Sequence, residues 1–500
     1  MPPSFIEDEA VMICLPIQAA SPADAEKGIQ AAQGLCDAVE LRVDFCASPV
    51  DWLDTVIPSA PLPLIVTDRS PEEGGSSPRE ASERIELLRR ASRAGARYID
   101  CEYRYIPELG DIPSSTQVIG SVHNFEETPE DPGQIIAEIE KSRADIVKAA
   151  FYANDITDNF RLFSAIKDCT KPVIGICMGE KGEISRIIGK KFGSILTFGL
   201  LDTEKETAPG QLTVNELREL YRYDSINENT SVFGVAGNPI HHSASPDIHN
   251  AAFRETGTDA VYVKFLVDDI STFIPCFRES GFSGLSVTIP HKVDVMDCID
   301  DIDPVSRNAG AVNTVYLENG KLKGTNTDIK AAVKGLCSCA GDLAGKKVAV
   351  LGAGGAARGI CFGLKEEHAD ILVVNRTLSR AEKLADAVGC AWCGYEDFTG
   401  EGFDILINTT SVGMVPDTDA SPVQADVIQE GMVVFDIIYN PPVTKLLRMA
   451  QEKSCTILNG NDMFIGQGEE QFRIWFDREP TEGIMRRAFE ERFNLRADAE

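Results

Sequence analysis

The sequence has no apolar run of the ~18 residues that a membrane-spanning helix needs, which argues against a helical membrane protein. Its first residues, MPPSFIEDEAVMICLPI, show neither a basic n-region nor a small-residue cleavage site, so they are expected to form a first strand rather than a signal or transit peptide. Cations are scarce. Lys plus Arg number 48 against 78 Asp plus Glu, a net charge of −30, which argues against nucleic acid or an anionic membrane as partner. Small anionic substrates remain open, because they answer to local Arg and Lys rather than to the total. The 14 Cys are scattered through apolar stretches, as at Cys14, Cys36, Cys101, Cys177 and Cys361. The Cys390–Cys393 pair has no second pair and no ligand His beside it. No metal and no disulfide are expected, and the thiols fit a cytoplasmic protein.

What is present has the balance of a folded protein, with 43% hydrophobic and 25% charged residues. At 500 residues the chain exceeds one ordinary core, so two or three domains are expected. Eight Val- and Ile-rich strand candidates alternate with amphipathic stretches: Val11–Ile17, Ala38–Phe45, Leu62–Arg69, Arg97–Tyr103, Gln117–His123, Asp145–Tyr152, Pro172–Met178 and Ser194–Leu200. Between the third and fourth, Ser77 is expected to cap a helix, with Pro78 in its first turn, Glu80 completing a capping box and Gly95 ending it. Eight strands separated by helices predict a (β/α)8 barrel, whose chemistry lies at the carboxyl ends of the strands. The polar stretch Tyr223–Ser231 is the expected linker, and the βα pattern restarts at Val232. A second boundary lies near Ala340–Lys347.

Lys347–Leu351 runs into Gly352-Ala353-Gly354-Gly355-Ala356-Ala357 and then a helix, the context that a dinucleotide fingerprint requires. Gly352 permits the turn, Gly354 lets backbone approach a pyrophosphate, and Ala357 allows close helix packing. The next strand ends in Asn375-Arg376-Thr377, with Arg380 one helical turn later. An Arg in place of the usual acid suits a 2′-phosphate, so NADP is predicted over NAD.

The stretches Gly237–Asn250 (GNPIHHSASPDIHN), SVTIPHK at 286–292, AVNT at 311–314, NTD at 326–328 and GQG at 466–468 resemble the shikimate dehydrogenase family, in the family's order from Val232 to Phe493. The resemblance implies that Ser243 and Ser245 hold a substrate carboxylate and that Thr288, Asn313 and Gln467 hold ring hydroxyls. Ser286 stands where many members carry Asn, a variant that plant bifunctional relatives share, and is counted with the substrate site. Tyr439 would lie near substrate and nicotinamide, and Lys292 with Asp328 would be the catalytic pair. Chemistry agrees: reducing a ketone needs a proton donor beside the developing alkoxide, and a Lys held by a carboxylate serves. His242, His249 and His291 are read as hydrogen-bonding scaffold rather than acids.

In the first half Glu40, Arg42 and Asp44 alternate along one strand, Arg69 and His123 end two others, and Lys148 lies inside the apolar run DIVKAAF. A lone Lys there must be neutral or paired, and a depressed pKa would make it a Schiff-base nucleophile. The segments ELRVD, DRSPEEGG, SVHNF, VKAAF, MGEKGEISR and APGQ resemble, in order, the type I 3-dehydroquinate dehydratases. The resemblance implies an imine at Lys148, proton transfer by His123 assisted by Glu73, and a carboxylate clamp at Arg186. Arg42, Arg69, Glu40 and Gln211 would bind the ring, with Thr207 where relatives often carry Ser. For Glu40 and Arg42 a reading as a structural ion pair also stands.

Together the halves resemble the plant-type bifunctional dehydratase–dehydrogenases. The implied fold is α/β, a TIM barrel followed by a substrate domain and a Rossmann NADP domain. The implied division is 1–224 for the barrel, 225–231 for the linker, 232–338 with 460–500 for the shikimate-binding domain, and 339–459 for the NADP domain. The implied partners are the small acids 3-dehydroquinate, 3-dehydroshikimate and shikimate, with no nucleic acid and no membrane; no oligomeric state is assigned. Three rival readings stand beside this one: a second half that prefers quinate, a non-catalytic sensor of these acids, and a lysine-dependent aldolase barrel.

Overall fold

Strands buried on both faces read as near-continuous apolar runs, which is how the first eight are written. In the computed structural model, which describes residues 12–46, 48, 50–201 and 210–493, these are β1 Met12–Gln18, β2 Ala38–Arg42, β3 Leu64–Thr67, β4 Tyr98–Glu102, β5 Gln117–Asn124, β6 Ile146–Tyr152, β7 Val173–Met178 and β8 Leu196–Phe198. They form one parallel sheet in the order β7-β6-β5-β4-β3-β2-β1-β8. A parallel bridge between Val173 and Ser194, just ahead of β8, brings the two edges together into a barrel.

Alternation by two along each strand then dictates what fills it. An apolar floor is built from Ala38, Ile65, Tyr98, Ile119, Ile146, Ile174 and Leu196. Two residues further along the same strands stand Glu40, Thr67, Asp100, Ser121, Lys148, Ile176 and Phe198. One more step brings Arg42, Arg69, Glu102, His123 and Ala150. The polar layers thus sit toward the carboxyl ends, above a packed apolar base.

The helix after β3 starts later than expected. It spans Ala81–Arg93 with Glu80 as its N-cap and a capping box formed by Glu80 and Glu83, so Ser77 does not cap it. Ser77 instead lies in the loop, where its backbone N–H donates to Arg69 O at 3.2 Å. The expected linker is anchored rather than free. Tyr223 and Ile226 are buried, and the ammonium groups of Lys190 and Lys191 donate to the carbonyls of Asp224 (2.8 Å) and Glu228 (2.7 Å).

Six further strands, β9 Ser231–Gly237, β10 Ala260–Leu266, β11 Gly284–Val287, β12 Asp301–Ile302, β13 Thr314–Glu318 and β14 Lys321–Thr325, make a mixed sheet in the order β10-β9-β11-β13-β14-β12. β13 and β14 pair as a hairpin whose turn, Asn319-Gly320, has both residues at positive φ, as a type I′ connection requires. The last sheet is parallel throughout: β15 Lys347–Leu351, β16 Asp370–Val374, β17 Ala391–Cys393, β18 Ile405–Asn408, β19 Val433–Asp436 and β20 Thr456–Leu458, ordered β17-β16-β15-β18-β19-β20. That is the doubly wound order with its switch point beside β15.

The chain folds into two compact units. One holds the barrel through Gly234 together with Asn238–Pro246 and Asp259–Phe282; the other holds Val235–Gly237, Asp247–Thr258 and the chain from Ser283 onward. Among the described residues no helix is long and apolar enough to cross a membrane.

Candidate active sites

A cavity of about 240 Å³ opens above the polar layers of the barrel, lined among others by Glu40, Arg42, Arg69, Glu73, His123, Lys148, Arg186 and Gln211. Lys148 is 4% exposed, and its ammonium lies 2.8 Å from Asp100 Oδ2, 3.6 Å from Glu40 Oε1 and 4.7 Å from the centre of the Phe198 ring. Pairing is therefore what allows this Lys to be buried. Burial works to raise the Asp100 carboxyl, but the neighbouring Arg69 and Lys148 charges prevail and hold it well below the usual carboxylate range.

His123 stands above Lys148 at the end of β5. Burial and the nearby Arg69 and Lys148 cations push its pKa well below the usual value, so the ring is neutral near pH 7. Glu73 Oε2 lies 3.1 Å from Nδ1 and also accepts the backbone N–H of His123 at 3.1 Å. A carboxylate there favours the Nδ1–H tautomer and leaves Nε2 as the basic nitrogen. Arg104 donates to the other Glu73 oxygen at 2.8 Å.

Arg69 is buried and already engaged, donating to Asp100 Oδ1 and Ser121 Oγ, both at 2.7 Å. Its geometry is that of a part that fixes Asp100, with less left over for a ring hydroxyl. Arg42 pairs with Asp44 through two hydrogen bonds of 2.8 Å, while Glu40 accepts from Thr67 Oγ1 at 2.8 Å. Glu40 and Arg42 are thus held by separate partners. Arg186 is 4% exposed, and no described residue accepts from its Nε. Thr207 lies outside the described residues.

In the other unit Lys292 Nζ meets Asp328 Oδ2 at 2.6 Å, both side chains being partly exposed. Asn313 is buried, and its Oδ1 accepts from Thr314 Oγ1 (2.8 Å), Thr327 N (2.7 Å) and Thr327 Oγ1 (3.1 Å). That leaves its amide NH2 to offer a ligand. Thr288 is fixed by its backbone N–H, which donates to Ala236 O at 2.9 Å. Gln467 lies on the helix Gly460–Phe476, and Gln471, one turn on, is fully buried. Its Oε1 accepts from Ser286 Oγ at 3.0 Å and lies 3.1 Å from His249 Nε2; its Nε2 donates to Thr314 Oγ1 at 2.9 Å. Burial lowers the His249 pKa to about 3, so His249 is neutral scaffold, and His291 is buried too, whereas His242 is exposed. Gly468 has no room for a side chain, since a Cβ would stand 2.7 Å from Ile248 Cδ1. Ser243 and Ser245 belong to the segment 238–246 of the first unit, where Ser245 N donates to Ser243 Oγ at 3.3 Å. Tyr439 is 56% exposed and borders a small cavity with Asn461, Phe489 and Phe493.

The glycine-rich turn follows β15. Gly352 sits at φ 113°, and a Cβ would approach Thr409 Oγ1 to 2.6 Å, so only glycine fits. Gly354 caps the helix Gly355–Glu366, and a Cβ on either glycine would meet open space. That is room for a phosphate against free N–H groups. Ala353 packs against the Rossmann core, Ala356 lies in the first helical turn, and Ala357 is fully buried. Beyond β16, Asn375 Nδ2 donates to Thr377 O at 2.9 Å. Arg376 and Arg380 are exposed, and among the described residues no carboxylate pairs with either. The donor set fits a dinucleotide with a 2′-phosphate.

Sequence reasoning missed Asp100, Arg104 and Gln471. Asp100 had a signal: it lies two residues after the inward-facing Tyr98 on β4. Gln471 had a weaker one, four residues after Gln467 on the same helix face.

Profile comparisons match type I 3-dehydroquinase over residues 13–228, a shikimate dehydrogenase substrate-binding domain over 235–315, shikimate/quinate 5-dehydrogenase over 336–452, and a shikimate 5′-dehydrogenase C-terminal domain over 460–488. A chloroplastic bifunctional 3-dehydroquinate dehydratase/shikimate dehydrogenase of Arabidopsis thaliana is 40% identical over 493 residues, covering 93% of this chain and 82% of that protein. An NADP(+) shikimate dehydrogenase of Methanothermobacter thermautotrophicus is 42% identical over 281 residues, 54% of this chain and 99% of its own length. A crystal structure of a shikimate dehydrogenase in complex with NADP+ superposes with a TM-score of 0.51 at 38% identity, over 53% of this chain and 96% of that one. A Listeria monocytogenes enzyme in complex with shikimate and NAD gives a TM-score of 0.51 at 32% identity, over 53% and 98% respectively.

Proposed function

The chain belongs to the bifunctional 3-dehydroquinate dehydratase/shikimate dehydrogenase family, and from that premise we propose how its residues divide the two reactions. The barrel dehydrates 3-dehydroquinate to 3-dehydroshikimate. The second half reduces that product to shikimate with NADPH.

In the barrel the Lys148 ammonium gives one proton to neutral His123, and its Nζ adds to the substrate ketone. His123 returns that proton to the hydroxyl as it leaves as water, so the resulting iminium carries the positive charge on Nζ. The Asp100 and Glu40 carboxylates, 2.8 Å and 3.6 Å from Nζ, stabilise that cation. The iminium acidifies the adjacent C–H, and neutral His123, oriented by Glu73, takes the proton to give an enamine. The electron pair returns as the hydroxyl on the neighbouring carbon departs, receiving the proton from His123 and leaving as water. A second water then hydrolyses the imine and frees Lys148. Arg186 holds the substrate carboxylate, Arg42 and Gln211 the ring, and Thr207 is proposed to join them.

In the second half a bound NADPH would supply the hydride that the ketone carbon needs. Lys292 hands a proton to the developing alkoxide, and Asp328 at 2.6 Å holds the ammonium in place. Thr288, Asn313 and Gln467 take the ring hydroxyls, with Ser286 held by Gln471. Ser243 and Ser245 take the carboxylate, and Tyr439 flanks the reacting centre. Gly352, Ala353, Gly354, Gly355 and Ala356 would cradle the pyrophosphate, and Asn375, Arg376, Thr377 and Arg380 the 2′-phosphate. The domain division at 225–231 and at 338–339 and 459–460 is supported by the profile boundaries. Cytoplasmic placement is supported by the scattered thiols alone.

The observation that carries the dehydratase reading is the buried Lys148 beneath His123, between two carboxylates at the base of the cavity. Borohydride added with 3-dehydroquinate should fix one substrate-derived mass on Lys148 and abolish dehydration while sparing NADP-dependent shikimate oxidation. An active protein that gains no adduct would refute the imine.

A further inference from the structure

Arg186 is the last member of the barrel's charged set and the one with the least protein to hold it. It lies on the short helix Glu183–Ile188 after β7. Burial pushes its guanidinium down to about 10, with the Glu183 charge working to raise it again. A neighbouring carboxylate would keep such a group charged but would also occupy it, so it is open to a ligand only if nearby carboxylates are held elsewhere. The nearest candidate in sequence is Glu183, one helical turn before it, and residues three apart share a helix face.

Glu183 is turned toward another partner. Its Oε1 lies 3.3 Å from Nζ of Lys264 on β10, with both side chains mostly buried. Burial raises the Glu183 carboxyl and Lys264 is the main influence lowering it again. The same turn is fastened twice more: Glu180 meets His241 at 3.4 Å, and Lys181 pairs with Asp268, whose other oxygen accepts from Asn238 Nδ2 at 2.8 Å. His241, Lys264 and Asp268 all fall in the stretch matched by the dehydrogenase substrate-domain profile, 235–315, yet all three belong to the same compact unit as the barrel.

We propose that Lys264 is a positioning residue for the dehydratase: by holding the Glu183 carboxylate it keeps that carboxylate off Arg186 and leaves the guanidinium open to the substrate's carboxylate. A residue from the second enzyme's sequence thereby sets the substrate affinity of the first. The inference rests on the reading of Arg186 as the carboxylate clamp. It goes beyond that reading in naming what keeps the clamp free.

Three variants of the full chain separate the ideas by steady-state dehydration of 3-dehydroquinate. Lys264→Met removes the charge while keeping most of the side-chain volume. It should raise KM about five-fold, the scale of one half-buried charge pair, with kcat within about two-fold of the parent. Adding Glu183→Gln to Lys264→Met removes the competitor and should return KM to within about two-fold of the parent. Arg186→Ala tests the clamp itself and should raise KM far more. If Arg186→Ala leaves KM unchanged, the clamp reading fails and the role of Lys264 falls with it. If Arg186→Ala raises KM but Lys264→Met does not, the inference alone is overturned. A KM raised by Lys264→Met and not recovered in the double variant also overturns it, because lost packing rather than a freed carboxylate would then be the cause.

Discussion

Lowering the pH from 7 to 4.5 should destabilise the second unit in a way that replacing one buried histidine cancels. His249 is fully buried beside Trp475 and held by Gln471, with its pKa brought down by burial to about 3 from 6.5. In the unfolded chain the imidazole takes a proton near pH 6.5, while in the folded chain it does not until about pH 3. Between these values the unfolded state binds more protons, so stability rises with pH. The contribution is complete above pH 6.5 and is lost as pH falls toward 3, at ~1.4 kcal/mol per pH unit. By pH 4.5 the loss is about 2.7 kcal/mol. His249→Gln stays neutral at both values and keeps a donor for Gln471 Oε1. Urea unfolding is followed by the fluorescence of Trp475, with Trp52 and Trp392 replaced by Phe. The stability gap between parent and His249→Gln should shift by about 2–3 kcal/mol in the variant's favour from pH 7 to 4.5. A gap that is the same at both pH values would refute the claim that this imidazole is held neutral.

Other outcomes follow from the same geometry. Lys292→Ala should lower the rate of shikimate oxidation by about 10²–10⁴-fold, the usual worth of a positioned proton-transfer group, while NADP binding measured by calorimetry stays within about two-fold. Glu73→Gln removes a charged acceptor from His123 and should cut dehydration kcat about 10- to 100-fold, with the dehydrogenase rate as an internal control. Arg376→Ala should weaken NADP far more than NAD, seen as a ratio of kcat/KM values that moves toward NAD; an unmoved ratio would place the 2′-phosphate elsewhere.

The barrel was legible because strand spacing, apolar runs and the direction of the chain are all local signals, and period-two alternation carries the site with it. The expected strands differ from the observed ones by only a few residues at their ends, as where Val43–Phe45 leaves β2 as a 3-10 turn. What the sequence did not reveal was pairing across strands. Lys148 announced that it needed a partner, but Asp100 is 48 residues away and is brought to it only by the inward layer of β4 and β6. Gln471 meets Ser286 and Thr314 from 185 and 157 residues away for the same reason. The cap at Glu80 rather than Ser77 shows the reverse case, in which two adjacent local signals compete and the tertiary run of the loop decides.

The barrel's unit also contains a cluster of phenylalanines: Phe160, Phe163 and Phe192 from the first half of the sequence meet Phe265, Phe273, Phe277 and Phe282 from the second, with ring centres about 4–6 Å apart. Cutting the chain between the two halves would part rings that now cover one another and leave an apolar, adhesive face on each product. The aromatic cluster therefore makes the two halves depend on each other for solubility as well as for connection.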